Sequence, residues 1–293
     1  AKALRNDIRS YLPQASINIM PATQLPRATA IVVNGTPLGM YPNEHASPLE
    51  KLPIGTEYVF DTIYNPPETA LMKLAPRSVK TRNGLLMLVL QAAYAQTIWF
   101  GTQFDSADLT RILRLLSGDM AKKRLHDVYG KQNIVLCGFM GSGKTTIGRK
   151  LARALQYEFV DMDDYLEKRE GKKISDIFAE VGESGFRDIE TDCAREISDR
   201  TGCVIALGGG AVLRQTNVAL YKKNGLLIHL NTPFYRIVQN LSRDTSRPLL
   251  QGDKEKQTRL LFNKRKKIYL NCADRSVTGT RISEIMDAVF RAI

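Results

Sequence analysis

The segment Gly138-Phe139-Met140-Gly141-Ser142-Gly143-Lys144-Thr145 lies near the middle of a chain of 293 residues. It follows the apolar stretch Ile134-Val135-Leu136-Cys137 and precedes a pattern of helical period. The order of strand, glycine loop and helix predicts a P-loop, in which glycines let the backbone turn until consecutive N–H groups face phosphate oxygens. The following helix dipole adds its positive end. We therefore expect a nucleotide site, and a glycine turn that only joins strand to helix is the alternative interpretation.

The same loop predicts which groups hold the nucleotide. Lys144 is expected to reach the terminal phosphates, and the Thr145 hydroxyl is expected to bind Mg²⁺. The expected nucleotide-binding residues of the loop are Gly138, Gly141, Ser142, Gly143, Lys144, Thr145 and Thr146.

Composition indicates a soluble protein of about two domains, because 43% of the residues are apolar and 25% are charged. The net charge of +12 divides into +4 for residues 1–128 (14 basic, 10 acidic) and +8 for residues 129–293 (28 basic, 20 acidic). This charge favours anionic partners, which could be nucleic acid or, equally, phosphates and carboxylates.

Cysteine usage and hydropathy predict a cytoplasmic location. The longest apolar run, Leu85–Leu90, is too short to span a bilayer, and no signal-peptide pattern precedes it. The chain begins with Ala1 instead of Met, which suggests a fragment or a processed chain. Buried thiols are expected instead of disulfides or a metal site, because Cys137, Cys193, Cys203 and Cys272 stand far apart.

Strand and helix patterns alternate from residue 131 onward. Alternation of this kind predicts a parallel sheet with helices on both faces and ligands at the carboxyl ends of the strands. Strands are predicted at 133–137, 158–161, 203–207 and 226–230, and helices at 144–155, within 163–180 and 184–199, and at about 215–222.

Acidic and basic side chains follow two of these strands. Asp161 and Asp163 end the second strand, where a nucleotide site needs a carboxylate for a metal and a base or anchor for an acceptor hydroxyl. The alternative is an acidic helix N-terminus, which the dipole favours. Arg187 and Glu190 share a helix face and predict either a carboxylate clamp or a surface ion pair of little value.

Three further segments complete the expected site. Gly208-Gly209-Gly210 permits a ligand to lie against the backbone. Residues 242–256, around Arg247-Pro248-Leu249-Leu250, have the charge and turn residues of a mobile lid. The basic run Lys264–Lys267 predicts a solvated helix face or a nucleic-acid patch.

In this order, these motifs resemble the shikimate kinase family over residues 131–293. The resemblance implies a phosphotransferase of the shikimate pathway, which leads to aromatic amino acids, with shikimate and ATP as substrates and Mg²⁺ as cofactor. It implies catalytic roles for Lys144, Asp163 and Arg247, with Arg247 also on the phosphates, and a metal site at Thr145 and Asp161. It implies shikimate contacts from Asp163, Arg187, Gly208, Gly209, Gly210 and Arg265.

One position departs from the family pattern. Members often carry an arginine against the adenine seven residues before the lid arginine, where this chain has Asn240. Two other functions stay open: another small-molecule kinase, and a nucleic-acid-dependent ATPase, although the chain has no reader motif for nucleic acid. The expectation is a kinase domain that is monomeric and binds neither nucleic acid nor membrane.

The first hundred residues predict an α/β segment with strands at 17–20, 31–33 and 58–61, a long helix from Leu85 to about Trp99 and a shorter one at 105–116. The motifs 33–40, 61–69 and 83–93 resemble the C-terminal, NADP-binding half of shikimate dehydrogenase. By that resemblance Tyr64 and Gln91 match residues that touch shikimate, and 34–36 with Met40 line the nicotinamide side.

The dehydrogenase-like segment lacks what the reaction needs. The family's catalytic lysine and aspartate and its glycine-rich dinucleotide loop have no counterpart in this sequence. We therefore expect no dehydrogenase activity from this chain alone. The segment is expected to be part of a longer bifunctional dehydrogenase/kinase, or to pack on another chain or on a missing N-terminal domain. The expected fold class is an α/β P-loop kinase preceded by a partial Rossmann-like segment, with boundaries at 1–104, a helical linker 105–130, and 131–293.

Overall fold

A computed structural model describes residues 2–21, 24, 28–76, 78–242 and 253–293. The chain divides into two compact units, Ala1–Leu113 and Arg114–Ile293, called unit 1 and unit 2 below. Helix α4 runs across the division. The domain boundaries at residues 104 and 130 stay a prediction.

Unit 1 contains a three-stranded parallel sheet in the order β1-β2-β3. A small core of Val59, Leu71 and Met72 lies beneath it. The elements are α1 (Lys2–Tyr11), β1 (Ile31–Asn34), β2 (Tyr58–Asp61), α2 (Ala70–Lys73), β3 (Lys80–Arg82), α3 (Leu85–Phe100) and the first part of α4 (Ser106–Asp127).

A buried carboxylate joins three segments of unit 1. Asp61 Oδ1 accepts hydrogen bonds from the Asn34 side-chain amide at 3.0 Å and from the Ile63 backbone at 3.1 Å. Asp61 Oδ2 accepts from the Thr69 hydroxyl at 2.6 Å, and Thr69 in turn caps α2. These three bonds satisfy a side chain that is fully buried, so Asp61 fixes β1, β2 and α2 relative to one another.

Two helix and strand predictions in this region differ from the structure. Residues 17–20 form no strand, and the helix predicted at 105–116 continues to Asp127. The continuation follows from packing, because a Cβ on Gly118 would lie 2.3 Å from the Ala154 carbonyl, so only glycine lets α4 approach so closely. Ala121 and Leu125 then enter the core of unit 2. The sequence did not predict this longer helix, because the apolar periodicity of residues 117–127 is weak.

Unit 2 contains a five-stranded parallel sheet in the order β5-β6-β4-β7-β8. This confirms the predicted α/β fold class. The remaining elements are β4 (Asn133–Cys137), α5 (Lys144–Leu155), β5 (Glu158–Asp161), α6 (Met162–Glu170), α7 (Ile174–Ser198), β6 (Cys203–Ala206), α8 (Gln215–Asn224), β7 (Gly225–Leu230), α9 (Phe234–Ser242), α10 (Asp253–Cys272), β8 (Arg275–Val277) and α11 (Ile282–Ala292).

Both faces of this sheet are covered. Every residue of β4, β6 and β7 is buried, as expected of parallel strands between helix layers. Val135 and Cys137 of β4 point into one core cluster, and Ile134 and Leu136 into the other. The alternation of side chains along a strand thus separates two cores, one on each face.

Helix α7 is interrupted at Gly182, which has a φ of 70°. The helical region predicted within 163–180 therefore corresponds to α6 and the part of α7 before Gly182. The helix predicted at 184–199 corresponds to the part of α7 after Gly182. Phe178 and Phe186 stack across the interruption, with ring centroids 4.3 Å apart. All four cysteines are free and buried, as expected. Within the described ranges, no helix is long and apolar enough to cross a membrane.

Candidate active site

The P-loop joins β4 to α5 at the carboxyl edge of the sheet. Gly138 and Gly141 have φ values of 150° and 73°, which side chains rarely adopt, so the turn requires glycine. The Lys144 ammonium donates to the carbonyls of Gly138 and Phe139 at 3.0 and 3.1 Å. The lysine therefore lies over the loop, at the N-terminus of α5 where phosphates bind.

Oxygen ligands suitable for Mg²⁺ lie beside the loop. The Thr145 hydroxyl donates to Asp161 Oδ2 at 2.8 Å, and Asp161 Oδ1 accepts from the Asp163 backbone and caps α6. In the described part of the chain, no group of three or more His, Cys, Asp and Glu side chains could hold a metal. A hydroxyl and one carboxylate suit Mg²⁺, which takes most of its ligands from water and phosphate.

A cavity of about 460 Å³ extends from the P-loop. Residues 141–147 of the loop and α5 line it. The lining also includes Thr232, Arg236 and Asn240, and Gly279, Thr280, Ile282 and Ile285. Volume and lining together suit a nucleotide with its phosphates at the glycine loop.

Asn240, which stands where the family often has an arginine, supports the loop. Its side-chain amide donates to the Gly141 carbonyl at 2.8 Å. Arg236, one helical turn earlier on α9, lines the same cavity and donates from Nη1 to Gln239 at 3.0 Å. Arg236 could not be predicted as a site residue from the family pattern, which has its arginine at the position of Asn240, four residues later.

The triple glycine, Gly208-Gly209-Gly210, lies next to the charged side chains on the second side of the site. A Cβ on Gly208 would lie 2.6 Å from Asp163 Oδ1, and a Cβ on Gly210 would lie 2.6 Å from Arg187 Nη2. A Cβ on Gly209 would lie 3.6 Å from the Met140 backbone nitrogen in the P-loop. The segment therefore lies against the Asp163 carboxylate and the Arg187 guanidinium and beside the nucleotide loop.

Arg187 is held by a buried glutamate. Its Nη1 donates to Glu190 Oε2 at 3.0 Å, and the two side chains are only 14% and 6% exposed. Burial raises the pKa of the Glu190 carboxyl, and the adjacent guanidinium opposes that rise without cancelling it. Of the two interpretations of this pair, the surface ion pair is therefore wrong. The Arg187 guanidinium lies against Gly210, where a Cβ would be 2.6 Å from Nη2 and 2.7 Å from Nη1.

Arg265 approaches the triple glycine from α10. Its Nη1 lies 3.4 Å from the Gly209 carbonyl, and the Tyr269 hydroxyl donates to the same oxygen. Burial raises the pKa of the Tyr269 phenol to about 12, and burial lowers the pKa of His229, which stacks on Tyr269, to about 4. Both rings are therefore neutral at pH 7.

The structure thus brings the expected site residues into two adjoining groups. Lys144, Thr145 and Asp161 lie at the glycine loop, and Asp163, Arg187, the triple glycine and Arg265 lie beside it. Arg247 and residues 243–252 of the expected lid lie outside the described residues, and 253–256 are the start of α10. Sequence reasoning gave no role to Tyr269, although its spacing of four from Arg265 places both on one helix face.

The N-terminal segment matches parts of shikimate dehydrogenases. It is 39% identical to a chorismate mutase/shikimate 5-dehydrogenase fusion protein from Clostridium acetobutylicum, over 31% of this chain and 34% of that one, with a TM-score of 0.29. A shikimate dehydrogenase in complex with NADP⁺ is 41% identical over 28% of this chain and 30% of that one, with a TM-score of 0.26.

A family model described as shikimate kinase matches residues 140–293. The shikimate kinase of Persephonella marina is 46% identical over 138 residues, which are 47% of this chain and 84% of that protein. The shikimate kinase of Microcystis aeruginosa is 42% identical over 55% of this chain and 86% of that protein. A structure of shikimate kinase from Acinetobacter baumannii in complex with shikimate is 35% identical, with a TM-score of 0.50 over 58% of this chain and 93% of that one. The chain therefore belongs to the shikimate kinase family.

Proposed function

We propose that unit 2 transfers the γ-phosphoryl group of ATP to the 3-hydroxyl of shikimate. The observation that carries this proposal is the place of the triple glycine, which lies beside the P-loop at Gly209 and against Asp163 and Arg187 at Gly208 and Gly210. A donor site and a site for a hydroxylated carboxylate therefore share one wall. The similarity to a kinase solved with shikimate supports the choice of acceptor.

Phosphoryl transfer depends on positioning and on neutralising negative charge. Lys144 and the loop N–H groups serve the phosphates. Thr145 and Asp161 would hold Mg²⁺, which supplies further positive charge to the phosphate oxygens when bound. Arg247 is assigned to the phosphates by family resemblance alone.

The acceptor side needs an anchor for hydroxyls and a clamp for a carboxylate. Asp163 accepts hydrogen bonds from ring hydroxyls and takes the proton of the attacking oxygen. Arg187 and Arg265 bind the carboxylate, for which two guanidinium groups are suited. Since Glu190 offsets the charge on Arg187, a bound carboxylate would offset the charge on Arg265.

Competing functions are less well supported. In the basic run on α10, Arg265 is half-buried against Gly209, whereas Lys264, Lys266 and Lys267 are exposed, so the run is not one continuous surface. A nucleic-acid groove would need such continuity together with aromatic side chains. Another small-molecule kinase would need an acceptor with a carboxylate to use both arginines.

A substrate panel tests the proposal. Purified chain with ATP and Mg²⁺ should phosphorylate shikimate and leave gluconate and nucleoside monophosphates unchanged. Turnover of one of those acceptors with none of shikimate would refute the proposal, and ATP hydrolysis stimulated by nucleic acid without an acceptor would favour the ATPase. The same samples should not reduce NADP⁺ with shikimate, because the sequence of unit 1 has no counterpart of the catalytic lysine and aspartate of shikimate dehydrogenases. A cytoplasmic location and a monomeric kinase unit belong to this proposal and rest on composition and family resemblance.

A further inference from the structure

We propose that Tyr269 is a positioning residue for the acceptor site, which holds the Gly209 carbonyl and thereby keeps Arg265 available for the substrate carboxylate. The inference rests on the proposed function and adds a residue to it. Tyr269 lies one helical turn after Arg265 on α10, so both side chains reach the same part of the triple glycine.

The two donors are unequal. The Tyr269 hydroxyl donates a hydrogen bond to the Gly209 carbonyl, whereas Arg265 Nη1 lies 3.4 Å from the same oxygen, near the limit for such a bond. The phenol is therefore the main hydrogen-bond donor to this carbonyl. The guanidinium has five N–H donors, and its contacts with this carbonyl and with the Tyr269 hydroxyl leave donors for a ligand.

The phenol is itself held rigidly. Tyr269 is only 2% exposed, and its ring stacks on His229 with centroids 5.4 Å apart and planes 17° from parallel. His229 lies in turn beside the Ser276 hydroxyl, with Nδ1 to Oγ at 3.2 Å. A neutral donor fixed in this way orders the loop without adding a charge that would compete for the substrate carboxylate.

Loss of the phenol oxygen should weaken acceptor binding in two ways. The Gly209 carbonyl would then draw Arg265 toward itself, because the guanidinium is the remaining donor beside it. The glycine segment would also be less fixed, and its neighbours Gly208 and Gly210 lie against Asp163 and Arg187. Lys144 and Thr145 are held by the Gly138 and Phe139 carbonyls and by Asp161, none of which belongs to the glycine segment, so nucleotide binding should change less than acceptor binding.

Unit 2 offers a matched control. Tyr221 on α8 is also only 2% exposed and belongs to the same core cluster as Tyr269. Its hydroxyl has no hydrogen-bond partner among the described residues. Tyr221→Phe therefore removes the same atom from a buried tyrosine whose hydroxyl donates no hydrogen bond to the glycine segment.

The test compares steady-state kinetics of Tyr269→Phe, Tyr221→Phe and the unchanged full chain. Tyr269→Phe should raise the KM for shikimate about fivefold to tenfold, with kcat and the KM for ATP within about twofold of the unchanged chain. Tyr221→Phe should alter none of these constants. An unchanged shikimate KM in Tyr269→Phe, or an equal rise of the ATP KM, would overturn the inference.

Hydrogen exchange supplies a measurement that needs no turnover. Amides of residues 208–213 should exchange faster in Tyr269→Phe than in Tyr221→Phe, and equal rates in the two variants would contradict the inference. The panel with unchanged chain separates the two proposals. If that chain does not phosphorylate shikimate, the proposed function fails, whereas the exchange result still tests whether Tyr269 holds the segment.

Discussion

Parallel sheets occur in both units, but only one of them is covered. In unit 2, every residue of β4, β6 and β7 is buried between two cores. In unit 1, Ile31 and Val33 of β1 are each 61% exposed, and α3 has Val89 as its single buried residue although most of its residues are apolar. Parallel sheets usually bury both faces.

The difference teaches that apolar content does not reveal whether a strand or helix is buried. The apolar strand β1 and helix α3 read in sequence like the buried elements of unit 2, yet Ile98, Trp99 and Phe100 are mostly exposed. Unit 2 buries both faces of its sheet, although single apolar side chains such as Leu260 are exposed. Unit 1 has apolar surface that nothing in the described part of the chain covers.

The largest expected effect belongs to unit 2. Lys144→Ala removes the ammonium at the phosphate end of the site and should lower kcat for shikimate phosphorylation at least about a thousandfold. Lys150→Ala, an exposed lysine on the same helix, should leave kcat unchanged. Coupled spectrophotometric assays measure both. Turnover above a tenth of normal in Lys144→Ala would contradict the assigned site.

A change in unit 1 should leave the kinase reaction intact. Asp61→Ala leaves three donors without their acceptor and should destabilise unit 1 by about 3 kcal/mol or more. Hydrogen exchange across β1 to β3 should then become faster while kcat stays within about twofold. Glu57→Ala, which removes an exposed carboxylate of the same unit, is the control. A parallel fall in kinase activity would show that the two units depend on each other.

Arg265→Ala separates the two halves of the kinase site. Loss of one charge-assisted contact should raise the shikimate KM about thirtyfold, with the ATP KM nearly unchanged. Lys267→Ala, exposed in the same basic run, should behave like the unaltered chain. Equal damage to both KM values would refute the assignment of Arg265 to the acceptor.

Acid should destabilise unit 2 through His229. Burial holds its pKa at about 4, below the ordinary 6.5, so between these values the unfolded chain takes up a proton that the folded chain does not. Stability should fall as pH falls through this window, by about 2 kcal/mol between pH 6.5 and about 5. Urea unfolding at the two pH values measures this, and His229→Gln should reduce the difference while His126→Gln, on an exposed histidine, should not. If the unfolding free energy of His229→Gln depended on pH as strongly as that of the unchanged chain, other groups would be responsible.

Much of unit 2 could be predicted because its signals are local. The P-loop, the strand ends and the triple glycine are short motifs, and the observed helix Lys144–Leu155 has the predicted bounds. Packing between distant segments was not visible in the sequence. The length of α4 depends on the contact of Gly118 with Ala154, and the role of Asn240 depends on the Gly141 carbonyl, 99 positions away in sequence.

Two kinds of glycine line the kinase site, and selection experiments should tell them apart. Gly138 and Gly141 have left-handed backbone, so a side chain there would strain the fold itself. Gly210 has a φ of −105°, and Gly208 has no positive φ, so a side chain at either would instead collide with Asp163 or Arg187. In a saturation library, screening for protein abundance should deplete substitutions at the first pair only, whereas screening for growth on kinase activity should deplete substitutions at both pairs.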